Sequence, residues 1–311
     1  MNENQTKSRE DIIVIKNLSK SFGDIHAVND LSFKVKSGEL FAFLGENGAG
    51  KSTTISIMCG QNKKDSGSVF IDGLSIEKDM KKITPKLGVV FQYSVLDNLL
   101  SVKDNLLTRA CLYGINRKEA IKRIDYLADL LDFKDLLKRT VGKLSGGQHR
   151  RIDVARALIH EPQILILDEP STGLDPQTRR KLWSVIEHLR KEKGLTVFLT
   201  THYMEEAADA DYVVILDSGK IGAEGTPIDL KNTYSGDFIS LYNVSEEKVK
   251  LIGKPYEVIP GGFRLAVKNT EEARDLLLKH SDIFVDFEIS KGKMDDVFLA
   301  VTGKKLLNGE N

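Results

Sequence analysis

The chain has few cysteines and no excess of basic over acidic residues. Of its 311 residues, two are cysteine, seven are proline and one is tryptophan, and 45 basic residues balance 45 acidic ones. Two cysteines are too few for a disulfide framework, and Cys59 and Cys111 lie too far apart in the sequence to form a metal-type pair, so we expect two reduced, buried thiols. The zero net charge speaks against a protein held on DNA mainly by phosphate contacts, which usually carries a basic excess.

No stretch is long and apolar enough to cross a bilayer. The longest runs without Asp, Glu, Lys or Arg are Ser52–Asn62 and Gly194–Met204, eleven residues each, whereas a membrane-spanning helix needs about 20 apolar residues. The segment Met1–Asp11 is polar and lacks the apolar centre of a signal peptide. We therefore expect a cytoplasmic protein, and its length predicts about two domains at roughly 150 residues each.

Strand and helix patterns alternate over the first two thirds of the chain. Leucines and isoleucines at helical spacing between about Ser101 and Leu144 predict a helical insert in a stretch that has no proline. The alternation favours an α/β core with a mainly parallel sheet. Short runs rich in Ile, Val, Leu and Phe predict strands at Ile12–Ile15, Leu31–Val35, Leu40–Leu44, Ser68–Ile71, Gly88–Phe91, Ile164–Leu167 and Leu195–Thr200.

A domain boundary is expected near Gly225–Asn232, because the phosphate-type motifs end there. We divide the chain into residues 1–230, with the insert at about 93–150, and a small α+β domain at 231–311. The expected strands of the second part are Phe238–Val244, Glu257–Ile259, Phe263–Val267 and Ile283–Ile289, and its expected helices are Glu271–His280 and Met294–Val301.

A glycine-rich loop directly follows the predicted strand Leu40–Leu44. Residues Gly45–Ser52 fit the pattern G-x-x-x-x-G-K-S, in which glycines let backbone N–H groups surround phosphate oxygens. Lys51 adds a charge that reaches the β- and γ-phosphates, and Ser52 offers a hydroxyl to Mg²⁺. A helix beginning near Lys51 directs its positive end at the same anion. The loop therefore predicts a nucleoside triphosphate site.

Two carboxylates and a histidine follow predicted core strands. Ile164–Leu167 is a continuous apolar run, typical of a strand buried on both faces, and it ends in Asp168 and Glu169. We expect Asp168 to hold Mg²⁺ through water and Glu169 to act as general base for a water that attacks the γ-phosphate. His202 comes just after Leu195–Thr200. A lone histidine is usually structural, but this position can face the same end of the nucleotide.

The turn Leu144–Gln148 precedes an amphipathic helix and forms a second candidate anion site. Taken alone, Ser145 would be an ordinary helix N-cap. Because a phosphate loop is already present, the simplest reason for a second site is that two chains pair head to tail. Each Ser145–Gln148 turn then covers the γ-phosphate that the partner's loop holds.

Together these motifs resemble those of the ATP-binding cassette (ABC) transporter ATPases, in family order over about residues 12–230. The resemblance assigns the Walker A motif to Gly45–Thr53, the Q-loop to Gln92, the signature to Leu144–Gln148, the Walker B motif to Ile164–Glu169, the D-loop to Ser171–Asp175 and the switch histidine to His202. Phe22 stands where the family stacks an aromatic ring, often Tyr, on adenine.

The resemblance implies the fold and the ligands. The fold is a P-loop NTPase (RecA-like) α/β core with an antiparallel β subdomain and an α-helical insert, followed by the small C-terminal α+β domain. The implied ligands are ATP and Mg²⁺. The implied nucleotide-binding residues are Phe22, Gly45, Asn47, Gly48, Ala49, Gly50, Lys51, Ser52, Thr53, Ser145, Gly146, Gly147, Gln148 and Asp175. The implied Mg²⁺ ligands are Ser52, Gln92 and Asp168, and the implied catalytic residues are Glu169, His202 and Gln92.

Two further segments are similar to the multidrug and antibiotic-resistance ATPases of the daunorubicin-exporter type: Thr200–Ala207 and Met294–Gly303. This resemblance implies an ATPase that powers export through a separate membrane permease. The chain would pair with a second cassette, as a homodimer or a heterodimer, and lie at the inner face of the cell membrane. We expect Val95–Leu107 to receive the permease. The alternatives are an importer ATPase, or a cassette ATPase of DNA repair or translation, although no nucleic-acid partner is expected.

Overall fold

The structure, a computed structural model, describes residues 10–303, which form two compact units. The first unit comprises the described residues up to His202 together with Leu216–Ile221. The second comprises Tyr203–Ile215 together with the described residues from Gly222 onward. The predicted domain boundary between residues 230 and 231 remains a prediction, because the two compact units divide the chain at other points. No helix in the described range is both long and apolar enough to cross a membrane.

The described residues contain both strands and helices. The strands are β1 (Asp11–Phe22), β2 (Ile25–Lys36), β3 (Leu40–Gly45), β4 (Ser66–Ile71), β5 (Leu74–Ser75), β6 (Leu87–Val90), β7 (Ile164–Asp168), β8 (Thr196–Thr201), β9 (Tyr212–Asp217), β10 (Lys220–Gly225), β11 (Asp237–Tyr242), β12 (Tyr256–Ile259), β13 (Gly262–Val267) and β14 (Phe287–Lys291). The helices are α1 (Lys51–Met58), α2 (Met80–Ile83), α3 (Val102–Leu112), α4 (Arg117–Leu130), α5 (Gly146–Leu158), α6 (Pro176–Lys193), α7 (Met204–Ala208), α8 (Pro227–Tyr234), α9 (Glu246–Leu251), α10 (Thr270–Lys279) and α11 (Met294–Thr302).

The first unit contains an antiparallel sheet and a parallel set of strands. The antiparallel sheet has the order β2-β1-β4-β5, and Ile13 of β1 lies opposite both Val35 and Ile71. The strands β3, β8, β7 and β6 follow one another in parallel, with Leu165 opposite both Val197 and Gly88. The predicted α/β class, with its parallel core and antiparallel part, is confirmed.

Three of the four parallel strands are buried along their whole length, which explains their largely apolar sequences. Every residue of β3, β7 and β8 is buried. Phe33 of the antiparallel sheet stacks on Phe41 of β3 with ring centroids 5.3 Å apart, and Phe198 of β8 lies 5.3 Å from Phe41 and 6.2 Å from Phe33. This aromatic core holds the strands rigidly, so the loops at their carboxyl ends start from well-defined positions.

Three helices form the insert predicted at about 93–150. Ser101 caps α3, Asn116 caps α4 and Ser145 caps α5, each by accepting a hydrogen bond from a backbone N–H of the first turn. On α3 the buried stripe is Val102, Leu106 and Ala110. These three helices contact one another pairwise.

The expectation of two buried thiols is wrong for Cys111. Both cysteines are free thiols, but Cys111 is exposed, because it lies beside the buried stripe of α3 and not on it. Cys59 follows α1 and is partly buried, and desolvation raises the pKa of its thiol to about 12. At neutral pH Cys59 is therefore protonated and unreactive.

The second unit has its own core. The sheet has the order β12-β13-β11-β14, and Ile239 lies opposite both Leu265 and Ile289. The core joins the sheet to helices through Val249 of α9 and Ala273 of α10, both fully buried. The predicted strand Ile283–Ile289 is wrong in its first part, since β14 begins only at Phe287. Ile283 and Phe284 instead enter the core as a turn after α10.

Several elements have no counterpart among the sequence predictions: β5, β9, β10, α2 and α7–α9. Most are short, so their periodicity is weak. The exception is β9, whose sequence Tyr-Val-Val-Ile-Leu-Asp is as apolar as that of β7 and carried a readable signal. The last helix is confirmed as α11, which buries Met294, Val297 and Phe298 and contacts α7 and α8.

Candidate nucleotide-binding and hydrolysis site

The loop between β3 and α1 needs glycine at two positions. Gly48 and Gly50 have φ angles of +86° and +102°, a region that residues with a side chain rarely adopt. A Cβ on Gly50 would also overlap the backbone carbonyl oxygen of Ala27. Asn47 and Gly48 are exposed at the tip of the loop, whereas Ala49 and Gly50 are buried at the start of α1. The predicted strand–loop–helix context of the phosphate loop is present.

Lys51 is folded against its own loop. Its Nζ donates hydrogen bonds to the carbonyl oxygens of Gly45 at 2.6 Å and Glu46 at 3.0 Å, and the residue is only 5% exposed. Burial lowers the pKa of Lys51, while the nearby carboxylates of Glu169 and Asp168 oppose this shift. A buried ammonium at the N-terminus of a helix favours a phosphate ligand, because the phosphate adds negative charge beside it.

Asp168 ends β7 as predicted. Its Oδ1 accepts a hydrogen bond of 2.6 Å from Oγ1 of Thr200 on the neighbouring strand. Burial raises the pKa of Asp168, and the hydrogen bonds from Thr200 and Ser52 act in the opposite direction. The contact with Ser52 places a hydroxyl of α1 beside the carboxylate of β7. An oxygen-only donor pair of this kind suits Mg²⁺, which prefers one or two protein oxygens and completes its shell with phosphate and water.

Glu169 brings the predicted catalytic residues together at one oxygen atom. Its Oε2 lies 3.4 Å from Nε2 of Gln92 and 3.5 Å from Nδ1 of His202, and it also accepts a hydrogen bond of 3.4 Å from Oγ1 of Thr172. These residues come from three different loops: Gln92 follows β6, Glu169 follows β7 and His202 follows β8. Parallel pairing of the strands is what brings the three loops to one edge of the sheet.

The backbone of Glu169 is held in an unusual conformation. Its φ is +49°, and its N–H donates to the carbonyl oxygen of Thr200 at 3.0 Å. A left-handed conformation at a residue with a side chain persists only where surrounding contacts enforce it. The carboxylate of Glu169 is therefore directed by its backbone as well as by its side-chain contacts.

The predicted signature turn forms a helix N-terminus. Ser145 and Gln148 make a reciprocal capping box: Gln148 N donates to Ser145 Oγ at 3.4 Å and Ser145 N donates to Gln148 Oε1 at 3.0 Å. Open space surrounds Gly146, whereas Gly147 faces Thr178 of α6. The turn is thus preorganised with backbone N–H groups at an accessible helix end.

The two remaining predicted positions lie at element ends. Asp175 caps α6 by accepting hydrogen bonds from the N–H groups of Gln177 and Thr178, and the Thr178 hydroxyl lowers its pKa most strongly. Phe22 ends β1 and is 49% exposed, with Nζ of Lys20 5.2 Å from its ring centroid. A half-exposed ring at a strand end offers a surface on which a base can stack.

Comparison with known proteins decides the family. The family model described as "ABC transporter" matches residues 28–172. The Nod factor export ATP-binding protein I of Burkholderia lata is 33% identical over 300 residues, which is 94% of this chain and 98% of that protein. The chain belongs to the ABC transporter family.

A second relative and a solved structure agree with this assignment. The linearmycin resistance ATP-binding protein LnrL of Bacillus subtilis is 36% identical over 275 residues, covering 87% of this chain and 83% of that protein. The dimeric ATP-binding cassette MJ0796 in a post-hydrolysis state with ADP and Pi is 29% identical, with a TM-score of 0.64 over 69% of this chain and 98% of that one. The chain is therefore an ATP-binding ATPase subunit of the exporter type, and the predicted ABC resemblance is confirmed.

Sequence reasoning missed two residues of this ABC cassette. Thr200 holds the carboxylate of Asp168 and the backbone of Glu169. Arg150 of α5 bonds to backbone carbonyls on both sides of the site. A signal for Arg150 was present, because it lies one helical turn before the buried Val154 and is a charged residue on the apolar face.

Proposed function

We propose that two cassettes close head to tail on two ATP molecules and reopen after hydrolysis. Each phosphate loop, with Lys51, binds the phosphates of one ATP, and the signature turn of the opposite cassette covers the γ-phosphate. The accessible N-terminus of α5 with its capping box supports this arrangement. The dimeric form in which the related cassette MJ0796 was solved with ADP and Pi also supports it.

We propose that Glu169 is the general base of hydrolysis. The supporting observation is the convergence of Gln92 and His202 within 3.5 Å of its Oε2. In this role Glu169 accepts the proton of the attacking water, Gln92 orients that water, and His202 holds the carboxylate and faces the γ-phosphate. Phe22 stacks on the adenine ring, and Asp175 belongs to the interface between the cassettes.

We propose Mg²⁺ as the companion of ATP, held by Ser52, Asp168 and Gln92. The hydrogen-bonded Ser52–Asp168 pair provides a hydroxyl and a carboxylate at one place, and the side-chain amide of Gln92 adds a further oxygen. When bound, Mg²⁺ neutralises phosphate charge that builds up in the transition state. Lys51 and its loop keep the phosphates in position.

We propose a separate membrane permease as the partner, with this chain at the inner face of the cell membrane. Between β6 and α3 the side chains of Tyr93, Val95 and Leu99 are largely exposed, at 80%, 55% and 88%. An exposed apolar segment of this kind favours a protein partner. Tyr93 lies just before the expected docking segment Val95–Leu107, whereas Val102 and Leu106 within it are fully buried in the insert and offer no surface to a partner.

The cargo is proposed to be recognised by the permease and not by this chain. The names of the relatives refer to different cargoes, Nod factor in one case and linearmycin in another. Related cassettes therefore work with chemically different cargoes. Export is favoured over import because the relatives that match nearly the whole chain are named for export or resistance.

Glu169→Gln tests the proposed function. Removing the base should lower kcat by about 100-fold or more, while ATP still binds through Lys51 and a dimer accumulates. ATPase rate, nucleotide affinity and gel filtration with ATP measure the three effects. The control Glu192→Gln changes an exposed glutamate at the end of α6 and should leave all three unchanged. Normal turnover by Glu169→Gln would overturn the assignment of the base.

Lys51→Ala should fail at an earlier step. Losing a charge-assisted phosphate contact should weaken ATP affinity by about tenfold to 100-fold. Fluorescence titration with an ATP analogue measures this loss. Unchanged affinity would contradict the role of the loop as a phosphate cradle.

A further inference from the structure

Arg150 joins the two loops that carry the proposed hydrolytic residues. Its Nε donates to the carbonyl oxygen of Pro170 at 2.7 Å, and its two terminal nitrogens donate at 2.6 Å to the carbonyl oxygens of Phe91 and Glu169. Phe91 immediately precedes Gln92. One planar guanidinium therefore holds the backbone on both sides of the contact between Gln92 and Glu169.

The burial of Arg150 indicates that its three hydrogen bonds are not incidental contacts. The residue is 7% exposed, and burying a guanidinium is costly unless its donors are satisfied. Desolvation lowers its pKa, and the carboxylates of Asp153, Asp168 and Glu169 oppose this shift. The charge is kept in the interior by hydrogen bonds to the main chain of loops, where it can act on loop conformation.

The contacted carbonyls determine where the functional side chains point. The carbonyl of Glu169 belongs to the residue with φ +49°, so its hydrogen bond with Arg150 supports this left-handed backbone. The carbonyl of Phe91 fixes the peptide plane from which Gln92 begins. The 3.4 Å contact between Gln92 Nε2 and Glu169 Oε2 depends on both peptide planes.

We propose that Arg150 is a positioning residue for ATP hydrolysis. It keeps Glu169 and Gln92 in register with each other and connects both to α5, the helix that begins at the signature turn. This inference rests on the proposed role of Glu169 as general base. Lysine cannot replace Arg150, because an ammonium lacks the planar fork of donors that reaches three carbonyls at once.

Arg150→Lys in the full chain tests the proposal. We expect kcat for ATP to fall at least tenfold, while ATP affinity stays within twofold because the Lys51 loop is untouched. For Arg150→Ala we also expect a fall in kcat with little change in ATP affinity. Millimolar guanidinium or methylguanidinium should restore part of kcat in this variant by occupying the vacated position. The measurements are phosphate release, displacement of a fluorescent ATP analogue and thermal unfolding.

Arg156→Lys is the matched control. Arg156 lies on the same helix, is equally buried at 7% exposure, and donates at 2.6 Å to the carbonyl oxygen of Val89 in β6. Its replacement should lower thermal stability to a similar extent but keep kcat within twofold, without any response to guanidinium. If the two lysine variants lose kcat equally, the effect is one of helix packing and the proposal is overturned.

Two outcomes separate this inference from the proposed function. If Glu169→Gln is inactive and Arg150→Lys retains kcat within twofold of the parent chain, only the role of Arg150 is overturned. If Glu169→Gln turns over normally, the general-base assignment fails and the inference fails with it. Support requires an inactive Glu169→Gln variant together with the split of kcat from ATP affinity in Arg150→Lys.

Discussion

At the scale of single residues, burial and mutual attraction balance each other around the hydrolysis site. Desolvation lowers the pKa of Lys51 and raises that of Asp168, since burial disfavours whichever form is charged. Their attraction for each other opposes both shifts. Removing either side chain alone would leave the other buried charge with less compensation, which is usually more damaging than the loss of the pair.

His160 should make stability depend on pH. It stacks on Tyr113 with ring centroids 3.8 Å apart, contacts the carbonyl oxygen of Leu87 at 3.0 Å, and has its pKa lowered by burial to about 4. Between pH 6.5 and about 4 the unfolded chain binds the proton and the folded histidine does not. Stability should therefore fall as the pH falls through this range, by about 1–2 kcal/mol between pH 6.5 and pH 5.

The comparison with His160→Gln isolates this contribution. Glutamine can still donate to Leu87 but does not titrate, so the variant should lose less stability than the parent chain on acidification. Urea unfolding at pH 7 and pH 5 measures both losses. Equal losses in the two proteins would show that His160 does not carry the effect.

At the scale of elements, the start of α5 combines a structural and a proposed functional role. Ser145→Ala and Asn116→Ala each remove a helix cap, of α5 and α4, and each should cost about 1 kcal/mol of stability. Only Ser145→Ala should also lower the ATPase rate, because Ser145 belongs to the turn that covers the γ-phosphate in the proposed dimer. Unfolding and the ATPase rate are measured on both variants. If the two variants have equal ATPase rates, Ser145 acts only as a helix cap.

Element predictions succeeded for most runs of largely apolar residues, with β9 as the exception. The largely apolar runs that became β3, β7 and β8 could be read directly, because strands buried on both faces leave few polar positions. Ile283 and Phe284 misled the assignment of β14, since residues buried in a turn have the same composition as residues in a strand. Whether such residues form a turn or a strand depends on their packing against distant segments of the chain, which the local sequence does not contain.

At the scale of the whole molecule, α11 packs its buried face against the rest of the second unit. Val297 is fully buried on this helix, whereas Ala300 is on its exposed face. Val297→Asp should destabilise the unit by about 3 kcal/mol or more, because it buries an unpaired carboxylate, and Ala300→Asp should have little effect. Thermal unfolding measures the difference.

ATP affinity provides the second measurement on these variants. The residues proposed to bind the nucleotide, such as Lys51 and Phe22, belong to the first unit. Val297→Asp should therefore keep ATP affinity within twofold at temperatures where the chain is folded. A loss of ATP affinity clearly greater than twofold would contradict the assignment of nucleotide binding to the first unit alone.

The sequence by itself determined the family, the α/β class and the order of the motifs. This was possible because a phosphate loop needs glycine, lysine and a hydroxyl at fixed spacing within one short segment. Their local chemistry therefore remains readable without a structure. The same holds for Ser145 and Asp175, whose side chains cap the helices that directly follow them.

Only the tertiary structure decided which distant groups meet. Parallel pairing of β6, β7 and β8 brings Gln92, Glu169 and His202 to one oxygen atom, although they are far apart in the sequence. The fold also exposes Cys111 and places the guanidinium of Arg150 among three loop carbonyls. Contacts of this kind depend on packing between elements, and no local pattern of residues specifies them.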